Sequence, residues 1–160
     1  MLSVKKSIIG QSSVEFLGMI LKDGNFQPGP HIAQELLHFP DQDMSRKQIQ
    51  QFLGIVNYLR DFIPHVARHT SHLSIMLKKS APPWGPIQTK AVHELKQLCQ
   101  QPVPLKILTD GQRILQTDAS DNYWGAILLE RLDDKEYYCA HASGQFKESK
   151  NTTTSSTKKP

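Results

Sequence analysis

The most regular hydrophobic pattern of the chain lies between Ser45 and Pro64. Six apolar residues recur there at helical spacing: Ile49, Phe52, Leu53, Val56, Leu59 and Ile63. At about 100° per residue, this spacing places them on one face of a helix. Ser45 followed three residues later by Gln48 is a capping-box signature, and Pro64 ends the pattern. The sequence therefore predicts an amphipathic helix over about residues 45–63.

Prolines mark the limits of three further predicted helices. A short helix over residues 32–39 stops before Pro40, and Pro64 fits the first position of the next helix. Pro86 opens the last one, which ends near residue 101. Each helix has a sparse apolar side. In chain order, these sides consist of Ile32, Leu36 and Phe39 in the first helix, Val66, Leu73, Met76 and Leu77 in the second, and Ala91, Leu95 and Leu98 in the third.

Short apolar runs at both ends of the chain predict strands. The N-terminal ones cover residues 7–9, 14–21 and 25–27, with a tight Asp23-Gly24 turn between the last two. The C-terminal ones cover residues 105–108, 114–117, 124–129 and 136–143, with a hairpin turn predicted at 109–112. The last three are expected to form a meander without a helix to cover its apolar face. Residues 144–160, rich in serine, threonine and lysine, predict a solvated tail.

Composition changes this picture little. With 160 residues, 38% hydrophobic and 21% charged, the chain is predicted to be globular and of the α+β class. The net charge of +4 fits a polyanionic partner without requiring one. Cys99 and Cys139 lack zinc-ligand spacing and indicate a reducing compartment. Because no apolar run approaches the roughly 20 residues of a membrane span, we expect an intracellular protein that does not bind a membrane.

The polar face of the predicted helix over residues 45–63 carries a glycine. Lys47, Gln50, Gly54 and Tyr58 lie on this face. Glycine inside a helix costs about 0.5–1 kcal/mol relative to alanine, so Gly54 requires a reason. One is a nucleic-acid groove approaching along Gln50, Gly54 and Tyr58, against which Asp61 adds a negative charge. The other is packing of a neighbouring helix, which the residues alone favour.

Two further groups suggest metal chemistry. Asp118 ends an apolar run at the edge of a predicted hairpin, where a carboxylate suits a metal ligand. An ordinary turn start explains it equally simply, and the residues alone favour the turn. His65, His69 and His72 fall at i, i+4 and i+7, but a zinc site needs a further ligand and supporting contacts. A solvated or half-buried helix face is the favoured interpretation of these histidines.

Three motifs resemble reverse transcriptases. Residues 114–129, I-L-Q-T-D-A-S-D-N-Y-W-G-A-I-L-L, resemble the opening of the ribonuclease H domain in gypsy-type LTR retrotransposons and plant pararetroviruses. Residues 52–64, F-L-G-I-V-N-Y-L-R-D-F-I-P, resemble the thumb of these enzymes, and residues 14–21 resemble the last strands of their palm. The resemblance extends over about residues 5–150. It implies a palm-terminal hairpin at 1–27, a helical thumb at 28–80, a connection at 81–110 and a truncated ribonuclease H-like mixed sheet at 111–160.

The resemblance assigns roles to the residues singled out above. It makes Asp118 the first catalytic carboxylate and a Mg²⁺ ligand of the parent ribonuclease H. Gln50, Gly54 and Tyr58, with Lys47 on the same face, would follow the groove of an RNA–DNA hybrid or a primer–template duplex. The remaining parts of the polyprotein are the other implied partners.

The match is incomplete where catalysis is concerned. The parent activities are RNA-directed DNA synthesis and hydrolysis of RNA–DNA hybrids, but the Tyr-x-Asp-Asp metal site of the polymerase has no counterpart here. Lysine or proline stands within residues 151–160 where the second ribonuclease H carboxylate is expected. We therefore expect a catalytically incomplete chain that holds Mg²⁺ weakly. The alternative is a nonenzymatic nucleic-acid-binding or structural module that retains the thumb surface.

Overall fold

The computed structural model describes residues 10–146. Within them the chain has an α+β fold, as predicted, with two antiparallel sheets and four α-helices. The strands are β1 (Ser13–Phe16), β2 (Met19–Lys22), β3 (Asn25–Pro28), β4 (Leu105–Lys106), β5 (Gln112–Ala119), β6 (Tyr123–Leu132) and β7 (Lys135–Gln145). The helices are α1 (Pro30–Glu35), α2 (Arg46–Leu59), α3 (Val66–Ser74) and α4 (Pro86–Gln100). None of these helices combines the length and the apolar character needed to cross a membrane.

The first sheet has the order β1-β2-β3-β4. The predicted Asp23-Gly24 turn joins β2 to β3, and both residues have positive φ angles, 51° and 71°. Residues 14–21, predicted as one strand, form two strands because Leu17 and Gly18 make a second turn with φ angles of 52° and 77°. The strand predicted at residues 7–9 lies outside the described residues.

The prediction of a hairpin across residues 109–112 is wrong. The strand before this turn, β4, pairs with β3 of the first sheet, where Leu105 lies opposite Phe26, and not with β5. Leu105 is 1% exposed at this position, so its burial favours the first sheet. The first sheet thus takes its fourth strand from a segment that follows all four helices in the sequence.

Glu130 of β6 holds the segment that leads from β4 in the first sheet to β5 in the second. Its carboxylate is fully buried and accepts hydrogen bonds from the backbone N–H groups of Thr109 and Gly111 at 2.8 and 3.1 Å. It also pairs with Lys106 of β4 at 3.3 Å. Burial raises the pKa of Glu130, but the hydrogen bonds from Thr109, Lys106 and Gly111 outweigh burial and lower it below its usual value. The charged carboxylate therefore connects β4 to β6.

The helices share one hydrophobic core, as the apolar pattern predicts. Ser45 caps α2 in a capping box with Gln48, and the α2 side chains Ile49, Phe52, Val56 and Leu59 are buried. They pack with Leu36, Leu73 and the α4 side chains Val92, Leu95 and Cys99. Phe52 also meets the ring of Phe39 edge-on at 5.6 Å between centroids. Burial of this single stripe orients α2 and leaves its polar face outward.

Helix α3 begins later than predicted. Pro64 is not its first residue; the helix starts at Val66, and His65 precedes it in the left-handed region at φ 55° and ψ 24°. Since a non-glycine residue is strained there, surrounding contacts must hold it. The backbone N–H of Ala67 donates to the side chain of Ser143 on β7 at 3.3 Å, so a distant strand satisfies the first turn of α3.

The second sheet is the predicted meander β5-β6-β7, with an irregularity in the β6–β7 pairing between Leu128 and Leu129. The prediction that no helix covers it is wrong for one face, because α3 packs there: the hydroxyls of Ser71 and Tyr123 are 2.9 Å apart. The opposite face still exposes Leu115 by 66% and Trp124 by 39%. Strand β7 also continues to Gln145, so the predicted tail does not begin at residue 144.

Candidate nucleic-acid interface and the Asp118 cleft

The outward face of α2 is the first candidate surface. Lys47, Gln50, Gly54 and Tyr58 are exposed and lie along one side of the helix. Positions three, seven and eleven residues after Lys47 return to nearly the same helix face. The structure therefore brings the four predicted nucleic-acid-binding residues together. Asp118 lies on a separate element, β5.

Gly54 has no packing reason within the described chain. A Cβ atom added to it would meet nothing within 4 Å. Gly18 shows the contrast, since a Cβ atom there would lie 2.8 Å from Ile32 and 2.9 Å from the hydroxyl of Tyr58. The helix-packing explanation for Gly54 thus finds no support in residues 10–146, where this position of α2 is open.

Tyr58 has a structural contact that the sequence did not indicate. Its hydroxyl donates a hydrogen bond to the backbone carbonyl of Leu17 at 2.5 Å, which ties α2 to the β1–β2 turn. The ring nevertheless remains 39% exposed. Tyr58 therefore lies at the end of the α2 face and beside the hairpin at once. The Leu17-Gly18 dipeptide, a turn signal inside an apolar run, is the feature that could have revealed this neighbour.

A shallow groove runs beside the exposed face of α2. It is lined by Leu17, Ile32, Glu35, Phe39, Gln51, Gly54, Ile55 and Tyr58. The lining combines apolar side chains with the backbone of Gly54. This arrangement allows an extended ligand to approach the helix without displacing a side chain at residue 54.

Asp118 stands near the end of β5 with an exposed side chain. It lies opposite Gly125 of β6, and Gly125 lies opposite Ser143 of β7. Because directly opposed residues project from the same face of a sheet, the carboxylate is on the face that α3 covers. The sequence placed Asp118 at a hairpin edge but gave no sign of this helix.

We call the small cavity at this position the Asp118 cleft. Its volume is ≈40 Å³, and its lining includes Asp118, Tyr123 and Gly125 from the sheet with His65 and Arg68 from the start of α3. The imidazole of His65 packs over Gly125, where an added Cβ atom would lie 3.2 Å from the ring. Two basic residues therefore line the same cleft as the carboxylate, and sequence spacing alone did not connect either with Asp118.

Among the described residues, Asp118 is the one carboxylate that lines its cleft. Mg²⁺ gives up its water reluctantly and needs several oxygen ligands, and two-metal hydrolysis needs two ions roughly 4 Å apart. The Asp118 cleft contains one carboxylate, and residues 10–146 contain no group of three or more potential metal ligands. The positions expected for the second carboxylate, residues 151–160, lie outside the described residues.

His65, just before α3, and His69 within it take separate roles in the structure. His69 pairs with Glu94 of α4, with 2.7 Å between Nδ1 and the carboxylate, and His65 lies at the Asp118 cleft. Residues 10–146 contain no cluster of three potential metal ligands here either. The favoured interpretation of a half-buried helix face agrees with these positions.

Comparison with known proteins identifies the family. Residues 84–159 match the family model described as the RNase H-like domain found in reverse transcriptase. The genome polyprotein of Petunia vein clearing virus (isolate Shepherd) is 58% identical over 147 residues, which cover 92% of this chain and 7% of the polyprotein. The enzymatic polyprotein of Cauliflower mosaic virus (strain D/H) is 36% identical over 152 residues, covering 91% and 23%. The chain belongs to the reverse transcriptase–ribonuclease H segments of pararetroviral polyproteins.

Solved structures agree with this assignment at the level of the fold. The foamy viral protease-reverse transcriptase in complex with dsDNA superimposes with a TM-score of 0.72 at 18% identity, over 90% of this chain and 30% of that one. The same enzyme in complex with RNA/DNA hybrid gives a TM-score of 0.72 over 91% of this chain and 20% of that one. The chain therefore has a reverse transcriptase fold across nearly its whole length, although it spans less than a quarter of the polyproteins it matches.

Proposed function

We propose that this chain binds a nucleic-acid duplex, an RNA–DNA hybrid or a primer–template, along the exposed face of α2. The observation that carries the proposal is the open environment of Gly54, where an added Cβ atom meets nothing within 4 Å in the described chain. A helix-interior glycine lowers stability, and a ligand that approaches the backbone closely would account for it.

The neighbouring side chains suit such a ligand. Lys47 can neutralise a backbone phosphate, and Gln50 can donate and accept hydrogen bonds in a groove. The exposed ring of Tyr58 offers apolar contact at the far end of the same face. Two structures of the foamy viral enzyme that share this fold are complexes with dsDNA and with RNA/DNA hybrid, which supports a duplex as the partner.

We further propose that Asp118 is the first carboxylate of a ribonuclease H site that this chain does not complete. In the parent enzyme a divalent metal would activate water and stabilise the leaving oxygen. The part of this chain described by the structure supplies one exposed carboxylate and no second one beside it. The segment would accordingly hold the hybrid without cutting it.

Binding can be tested with a fluorescently labelled RNA–DNA hybrid and the full chain. We expect Gly54→Leu to weaken binding at 100 mM salt, because the new side chain fills the open face. The fold should remain intact, since replacing a helix-interior glycine stabilises α2 by about 0.5–1 kcal/mol. Measurements are the dissociation constant from anisotropy and the thermal midpoint of each variant.

Two controls separate binding from stability. Gln97→Leu places the same new leucine on an exposed position of α4 and should leave affinity unchanged. Phe52→Ala deletes a fully buried ring and should reduce the free energy of unfolding by roughly 3–5 kcal/mol. If Gly54→Leu binds as tightly as Gln97→Leu, or if the parent chain shows no salt-dependent binding, the proposed α2 interface is wrong.

A further inference from the structure

We propose that Arg68 of α3 binds a phosphate of the nucleic acid at the mouth of the Asp118 cleft. The proposal rests on the proposed function and extends it, because it adds a second duplex contact on another helix. Arg68 shares the cleft with Asp118 and His65, and its side chain is exposed. The geometry thus provides a basic group beside the position where the ribonuclease H carboxylate stands.

Arg68 and Asp118 line the same cleft without pairing. Neither forms an ion pair with any residue in the described part of the chain. Other exposed arginines are engaged, as Arg131 is with Glu136. An unpaired guanidinium presents planar N–H donors that match two phosphate oxygens at once. Arg68 is therefore available for an anionic ligand.

The size of the cleft selects the part of the ligand that can enter. A volume of ≈40 Å³ leaves room for only a few water molecules, since each needs about 10–15 Å³ of such space. A base or a sugar does not fit. A duplex can therefore meet this position only from outside, through a phosphate that lies across the mouth of the cleft.

The position of Arg68 relative to the sheet is fixed by hydrogen bonds. The hydroxyl of Ser71 donates to the carbonyl of Arg68 at 2.9 Å and lies 2.9 Å from the hydroxyl of Tyr123 on β6. One residue before Arg68, the backbone N–H of Ala67 donates to Ser143 of β7 at 3.3 Å. The backbone of α3 is thus held against the sheet, and binding a phosphate requires ordering of the Arg68 side chain alone.

Asp118 opposes such a phosphate when no cation is bound. A carboxylate on the facing wall repels the ligand, so its removal should strengthen phosphate binding at this cleft. Asp118→Asn is therefore expected to raise affinity for the hybrid several-fold in buffer with chelator. If the hybrid binds away from the cleft, its affinity should be the same for Asp118→Asn and for the parent.

The test measures hybrid affinity by anisotropy at several salt concentrations. Each phosphate contact adds close to one to the slope of log K against log salt. We expect Arg68→Gln to reduce that slope by about 1 and to weaken binding several-fold at 100 mM salt, without lowering the thermal midpoint. The matched control is Arg131→Gln, at the far end of β6 and roughly 20 Å from Gly125 along the strand; its slope should equal that of the parent.

The outcomes distinguish this inference from the proposed function. If the parent binds and Gly54→Leu weakens binding while Arg68→Gln keeps the full slope, the α2 interface stands and the Arg68 contact is refuted. An equal loss of slope in Arg68→Gln and Arg131→Gln would also refute it, since the effect would then be one of net charge. A parent chain that does not bind the hybrid removes both proposals.

Discussion

His141 is an unusual residue of the second sheet, because it is 6% exposed and neither ring nitrogen has a hydrogen-bond partner in the described chain. Its ring stacks on Tyr138 at 5.5 Å between centroids. Burial lowers the pKa of His141, and the charge of the nearby His65 lowers it further. The fold therefore accepts His141 in its neutral form and resists its protonation.

The stability of the chain should consequently depend on pH through His141. In the unfolded chain this histidine binds a proton near its ordinary pKa of 6.5, whereas in the folded chain it binds one only at lower pH. The free energy of unfolding is thus unaffected above about pH 7 and decreases as the pH falls below 6.5. Thermal melts from pH 8 to pH 5 should show a smaller loss for His141→Phe than for the parent. Parallel curves for the two proteins would contradict this role of His141.

At the scale of elements, α2 is stabilised by an N-terminal capping box as well as by its packing in the core. The side chain of Ser45 accepts a hydrogen bond from the backbone N–H of Gln48 at 3.3 Å, and the Gln48 side chain accepts one from the Ser45 backbone at 2.9 Å. Both bonds satisfy N–H groups that the start of a helix leaves free. The start of α2 is therefore determined by four consecutive residues, Ser45 to Gln48.

Ser45→Ala should reduce the free energy of unfolding by about 1 kcal/mol, because the helix loses its capping acceptor. Urea unfolding followed by circular dichroism measures this difference. Ser74→Ala at the end of α3 is the control, since its hydroxyl bonds to the carbonyl of Thr70 in the preceding turn. We expect that control to change stability by less than about 0.5 kcal/mol. A Ser45 variant as stable as the Ser74 variant would show that the cap contributes nothing.

This contrast explains which elements could be predicted from the sequence. Helix α2 and the Asp23-Gly24 turn follow from nearest neighbours in sequence, and both are found, although α2 ends at Leu59 and not near residue 63. The partner of β4 depends instead on the buried contacts of Leu105 and on hydrogen bonds to the distant Glu130. No local pattern carries that information, so the sequence predicts a hairpin wherever a strand and a turn stand next to each other.

At the scale of the whole molecule, the helices and the second sheet are joined by few but specific bonds. The guanidinium of Arg60 donates to the carbonyl of Ser143 at 3.1 Å, and the side chain of Ser143 accepts from the backbone of Ala67. The α2 face and Asp118 were predictable from residue types and from the family resemblance. The position of Arg68 beside Asp118 was not, because it arises only when α3 docks on the sheet.

The isolated chain is expected not to cleave the RNA strand of a hybrid in the presence of Mg²⁺. Asp118 alone replaces too few water ligands of the ion to hold it in place for hydrolysis. The measurement is a gel assay on a labelled hybrid with purified parent protein beside Asp118→Asn. Cleavage by the parent that disappears in the variant would show that the chain contains a complete site after all.

The pairing of β4 with β3 also has a consequence for synthesis on the ribosome. Phe26 leaves the ribosome long before its partner Leu105, and at about 5–20 residues per second the interval lasts several seconds. During that time the edge of β3 offers unpaired backbone groups to other nascent chains. A fragment that stops anywhere before residue 105 would keep this edge open permanently. Truncations that retain Leu105 and Lys106 should therefore remain dispersed in solution where shorter ones precipitate.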